Sequence, residues 1–119
     1  TGALVNTYPV GLQPSGIAFD GSNIWVANYG GNNVSKLLAS TGATVGTYPT
    51  GNSPLTLAFD GANIWVPSYN DQTLTKIVAS TGEPIAAYSF GFPSAIYFDG
   101  SDLWITSLAN VTVSKLVVF

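Results

Sequence analysis

The stretch Phe19-Asp20-Gly21-Ser22-Asn23-Ile24-Trp25-Val26-Ala27-Asn28 returns forty positions on as Phe59-Asp60-Gly61-Ala62-Asn63-Ile64-Trp65-Val66-Pro67-Ser68. It comes once more as Phe98-Asp99-Gly100-Ser101-Asp102-Leu103-Trp104-Ile105-Thr106-Ser107. Working outward from it, the 119-residue chain divides into units 1–40, 41–80 and 81–119, and the first two are identical at 21 of 40 positions. Every unit carries a tyrosine (Tyr8, Tyr48, Tyr88), then a glycine (Gly11, Gly51, Gly91), a proline (Pro14, Pro54, Pro93) and, after its tryptophan, one lysine (Lys36, Lys76, Lys115). Such a period makes each unit one supersecondary element that needs its neighbours to cover it, in a single three-unit array over 1–119.

Within a unit, short runs rich in Val, Ile, Thr and aromatics alternate with Gly, Pro, Asn and Asp clusters, the pattern of strands and tight turns. In the second copy four strands are expected, at 44–48, 55–59, 63–67 and 73–79. The chain is therefore read as all-β. A sheet wet on one side alternates apolar and polar residues, yet Ile24-Trp25-Val26-Ala27 and Ile64-Trp65-Val66 are apolar on both faces. Both faces of each small sheet must then be covered, which a stack of sheets achieves. Asp20-Gly21, Asp60-Gly61 and Asp99-Gly100 suit the turns, because Asp accepts backbone hydrogen bonds and Gly tolerates positive φ.

The motif Pro-x-x-Ile/Leu-Ala-Phe-Asp-Gly-x-Asn-Ile-Trp-Val-Ala-Asn, followed by Asn-x-Val-Ser-Lys-Leu and Ser-Thr-Gly, resembles the blade repeat of the NHL and YVTN β-propellers, virginiamycin B lyase-like proteins included, and does so over the whole chain. That resemblance implies three four-stranded blades, with the Phe-Asp-Gly strand innermost, the Trp strand second, the Lys strand third and the Thr-Gly-x-x-Val-x-x-Tyr strand outermost. The chain would then open on an outermost strand, Leu4 to Tyr8, and end on a third strand, Val111 to Phe119. Propeller rings carry roughly 4 to 8 blades, so the expectation is a homodimer forming one six-bladed ring with exchanged outer strands. Leu4, Val5, Tyr8, Val111, Val113, Leu116 and Val118 are the candidate closure residues. The alternative is a piece of a longer propeller, against which the last unit ends Lys115-Leu116-Val117-Val118-Phe119, where the others run on into Ala-Ser-Thr-Gly.

Charge and composition narrow the chemistry. With three Lys, no Arg, five Asp and one Glu, the net charge is −3, and nucleic acid is excluded as a partner because phosphate binding rests on Lys and Arg. The chain has no His and no Cys, so neither a Ser-His or Cys-His nucleophile nor a thiolate metal site is available. The lyase-like family uses a catalytic histidine, so this chain departs from it there; no catalytic residue, metal or cofactor is expected. Asp20, Asp60 and Asp99 fall at one turn in successive units, spread round a rim and not paired across a cleft. Asp99 and Asp102 alone make a poor Ca²⁺ site, and Gly30-Gly31 lacks the Lys and hydroxyl of a phosphate loop. Lys36, Lys76 and Lys115 read as solvent-facing strand residues. The sequons at Asn33 and Asn110 follow from repetition. No apolar run approaches the roughly 20 residues of a bilayer span, so no membrane partner is expected, and the Thr-, Ser-, Asn- and Gly-rich composition leans towards a secreted bacterial protein.

The long loops hold the candidate ligand residues. Tyr29 with Asn28, Asn32 and Asn33, and Tyr69 with Asn70, Asp71 and Gln72, set an aromatic ring beside amides and a carboxylate, as a lectin-like sugar site requires. The plainer reading gives the tyrosines to packing and the polar residues to turns. Gln13, Ser15, Ser53, Thr56, Phe92 and Ser94 would line a neutral channel mouth for a small neutral ligand. The function expected is a non-enzymatic binding or scaffold module that self-associates, with lectin-like glycan binding or a ligand-free structural or engineered assembly as alternatives. An enzyme would need Tyr29, Tyr69 and Asp71 in one pocket.

Overall fold

The structure, a computed structural model, describes residues 1–118. Among them every regular element is a strand, and no helix is long and apolar enough to cross a membrane. The strands form three antiparallel sheets taken in chain order. The first holds β1 (Pro14–Phe19), β2 (Asn23–Asn28), β3 (Asn33–Leu38) and β4 (Thr44–Pro49). The second holds β5 (Ala58–Phe59), β6 (Asn63–Ser68), β7 (Thr73–Val78) and β8 (Pro84–Ser89). The third has three strands, β9 (Pro93–Phe98), β10 (Asp102–Ser107) and β11 (Thr112–Val117).

Local sequence sets the registers. Gly21, Gly61 and Gly100 take φ near +101° (+102° at Gly61) in the turns between the first two strands of each sheet, where a Cβ would be strained. The middle ladder, closed by the next turn along the chain, pairs Trp25 with Lys36, Trp65 with Lys76 and Trp104 with Lys115. The tryptophan and lysine strands are therefore in the same register in all three sheets.

Sheets stack face to face through two apolar clusters. Trp25, Ala27 and Val34 of the first sheet meet Leu57, Ile64, Val66, Ile77 and Ala79 of the second. Ala58, Trp65 and Leu74, on the other face of the second sheet, meet Leu103 and Ile105 with Ile96, Phe98, Leu116 and Val118 around them. The second sheet is thus covered on both faces, as its unbroken apolar strand demanded.

Several expectations are corrected. Within one chain Leu4 to Tyr8 forms no strand, and Leu4 and Val5 are 82% and 95% exposed, with no ladder partner among the described residues. The expected 55–59 strand shrinks to Ala58–Phe59 with one isolated bridge from Pro54 to Ser68; the Thr56 backbone lies so close to Gly16 that a Cβ there would sit 2.6 Å from its Cα. The last strand begins at Thr112, after a turn residue, and Phe119 lies outside the described residues. Lys36 does not face solvent. It is 5% exposed, reaches across to the second sheet, and donates from Nζ to the Ala79 carbonyl at 2.7 Å.

Candidate functional site

The three rim aspartates are clips. Asp60 Oδ1 accepts from the Ala62 and Asn63 amides at 2.9 and 2.7 Å, and its Oδ2 accepts from Trp65 Nε1 at 2.7 Å. Asp20 holds Ser22, Asn23 and Trp25, and Asp99 holds Ser101, Asp102 and Trp104, in the same arrangement. The turn role was legible in Asp-Gly; the bond to the indole was missed, although the constant five-residue step from Asp to Trp signals it. Burial raises the Asp20 and Asp60 pKa, but the indole and amide bonds outweigh it and leave both below the ordinary value of 3.8. At Asp99 the Trp104 bond comes first and the value falls to about 2. All three carboxylates are ionised near neutrality and have no proton to give.

The residues expected to bind a ligand on the long loops are largely engaged within the fold. Asn28 is fully buried and donates to Asn33 Oδ1 and Ser35 Oγ, both at 2.9 Å. Asn32 Oδ1 accepts from the Ser53 amide at 3.0 Å, and Asn70 donates to Ser53 Oγ at 2.7 Å. Asp71 Oδ2 accepts from the Asn52 amide at 2.7 Å, and Gln72 has a φ of 53° in a turn. Tyr69 packs on Phe92 with ring centroids 5.4 Å apart. Tyr29 is half-buried. The hollow beside Asp71 is lined by Gln72, Ser89, Phe90 and Gly91, with neither tyrosine. Among the described residues no three carboxylates gather as a metal site would require. Of the expected mouth residues, Ser53 is buried under the amides of Asn32 and Asn70, Ser15 bonds the Pro54 carbonyl, and Ser94 bonds Thr106.

Within the stack, buried Asn28 Oδ1, Ser68 Oγ and Thr73 Oγ1 have no hydrogen-bond partner among the described residues; the open strand edge and the open apolar faces lie at its two ends. In the first sheet β3 pairs with β4, and in the second β7 pairs with β8; the corresponding edge of β11 has no neighbour among the described residues. The third sheet's outward face leaves Tyr97 at 70% and Val113 at 58% exposure. At the opposite end Ile17 and Phe19 are 69% and 57% exposed, whereas Leu57, forty positions on, is 4% exposed against the first sheet. Of the expected closure residues, Leu4, Val5, Tyr8, Val111 and Val113 are exposed. Leu116 and Val118 pack against the second sheet within the chain.

Tyr8 nonetheless has a seat. A Cβ built on Gly42 would collide with its ring, and one built on Gly82 would collide with Tyr48 in the same way. Tyr48 belongs to β4, the outermost strand of the first sheet, and lies over Trp25 with centroids 5.7 Å apart. The unpaired segment therefore stands before the first sheet as β4 stands before the second.

Neither a family model nor a curated protein matches the chain. Among solved structures, Kuenenia stuttgartiensis hydrazine synthase matches with a TM-score of 0.75 at 19% sequence identity, over 96% of this chain and 38% of that one. The likeness bears on the fold alone, and this chain spans well under half the length of its neighbour.

Proposed function

We propose that the chain is half of a six-bladed β-propeller of the NHL and YVTN kind, completed by a second copy with exchanged outer strands, and that the ring works as a non-enzymatic binding or scaffold module. The observation that carries this is the pairing of two deficits: an outer strand position empty on β11 and a Thr7-Tyr8-Pro9 segment, matching Thr47-Tyr48-Pro49 of β4, with no sheet of its own. Exposed apolar faces at both ends of the stack support the same reading, since surfaces of that kind mark association sites. A heterologous contact that closes on itself gives a ring, and two copies of a three-sheet unit close with twofold symmetry. The scaffold reading is supported by the rim carboxylates, which are held ionised and engaged in turns. Light scattering on a sizing column tests it: a mass twice the 12.4 kDa chain mass is expected, and a mass of one chain, unchanged up to high concentration, overturns it.

A further inference from the structure

Resting on that ring, the geometry points further, to one register and one buried contact. We infer that the open edge of β11 receives the N-terminal segment of a second copy with Tyr8 opposite Val113, and that Lys115 reaches the Ala39 carbonyl of that copy.

The register comes from the two complete sheets. The β3–β4 ladder pairs Val34 with Tyr48, Ser35 with Thr47 and Lys36 with Gly46. The β7–β8 ladder pairs Leu74 with Tyr88, Thr75 with Ala87 and Lys76 with Ala86. Carried to β11, the same pattern sets Val113 opposite Tyr8, Ser114 opposite Thr7 and Lys115 opposite Asn6. A tyrosine in that place lies over the tryptophan of the sheet it completes, as Tyr48 does on Trp25 and Tyr88 does on Trp65 at 5.9 Å. Tyr8 would cover Trp104 of one copy while keeping its seat on Gly42 of its own. The chain's own third sheet is out of reach of this segment, because the second sheet lies between the first and the third.

The lysines point to the same neighbour without reference to the ladder. Lys36, Lys76 and Lys115 each set the ammonium over the tryptophan of the same sheet, at 5.1, 5.1 and 5.6 Å from the ring centroid. Lys36, with a following sheet beside it, is buried and bonded to the Ala79 carbonyl; Lys76, between the two, is half-buried over Trp65 and makes no such bond among the described residues. Lys115, with none, has a 53% exposed side chain and turns to Asp102 at 3.3 Å. The residue forty positions before Ala79 is Ala39, in the turn of the first sheet. When the first sheet of a second copy covers the third, the Ala39 carbonyl comes to where Lys36 finds its acceptor, and the exposed pair with Asp102, of the kind worth little, is given up for a buried charged hydrogen bond.

Because the chain has no cysteine, a Thr7→Cys, Ser114→Cys double variant reads the register directly. Expected is a covalent dimer on oxidation, reversed by reductant, with none from either single variant. A Val5→Cys, Ser114→Cys pair, two residues out of step, stays uncoupled. A dimer by light scattering that couples through positions 5 and 114, or through neither pair, overturns the register and leaves the ring standing; a monomeric parent chain overturns both. Lys115→Met, with its circular dichroism unchanged, is expected to weaken dimerisation roughly ten- to hundred-fold, the range for a charged hydrogen bond. An unchanged dissociation constant overturns the Ala39 contact.

Discussion

Removing the Asp60 carboxylate tests how the repeated turn holds its sheet. Asp60 is 3% exposed and accepts three hydrogen bonds, two from backbone amides and one from Trp65 Nε1, itself on a side chain 4% exposed. A hydrogen bond to a charged group contributes about 1.5–3 kcal/mol, and a buried donor left without an acceptor costs about 1–3 kcal/mol. In Asp60→Ala the amides of the exposed turn regain water, so the indole carries most of the loss. The three bonds act as one unit and do not add in full. The expected destabilisation is about 3–5 kcal/mol, or a fall of about 2 M in the urea midpoint at the slope usual for a small protein. Circular dichroism at a fixed chain concentration measures it, since association would otherwise shift the midpoint. Asp99→Ala removes the same three bonds at an exposed turn, where water replaces all of them, and a smaller shift is expected. Equal shifts for the two variants, or a loss below about 1 kcal/mol for Asp60→Ala, would refute the claim that burial of the indole bond sets the magnitude.

The same carboxylates predict the acid response. Asp20, Asp60 and Asp99 have folded values below 3.8, so their stabilisation is complete above the unfolded value and drains as pH falls through the folded ones. Urea midpoints should hold from pH 7 to about 5 and then decline towards pH 2, with Asp99 titrating at about 2; a midpoint flat across that window contradicts the clips. Gly82→Ala combines a φ of +78° with a collision against Tyr48, so thermal unfolding should show a loss of about 2–4 kcal/mol. Gly21→Ala, with open space at its Cβ, should lose only the backbone part, about 1–2 kcal/mol. Val111 is a β-branched residue held at a φ of 55° and 89% exposed. Val111→Asn should therefore raise the urea midpoint by about 0.5–1 kcal/mol equivalent, since Asn tolerates that region.

Much of this molecule is written in the positions its units repeat. The Asp-Gly turn, the two-sided apolar run through Trp25 and Trp65, and the five-residue step from Asp60 to Trp65 suffice to fix strand, turn and register, because each depends on neighbours within a few residues along the chain. The loop residues are less legible in the sequence. Asn28 looked like a ligand residue by composition, but its amide closes a buried gap beside Ser35, a partner that only the β2–β3 pairing brings to it. What the tertiary structure alone decided is which equivalent residue is covered. Lys36 and Lys115 occupy one place in the unit, yet the first is buried against the Ala79 carbonyl and the second stands in solvent beside Asp102. Ile17 and Leu57 differ likewise, one open and one in the core. Local sequence sets what a side chain can offer, and burial depends on whether another sheet lies across it; for the two end faces, that sheet would have to come from outside the described residues.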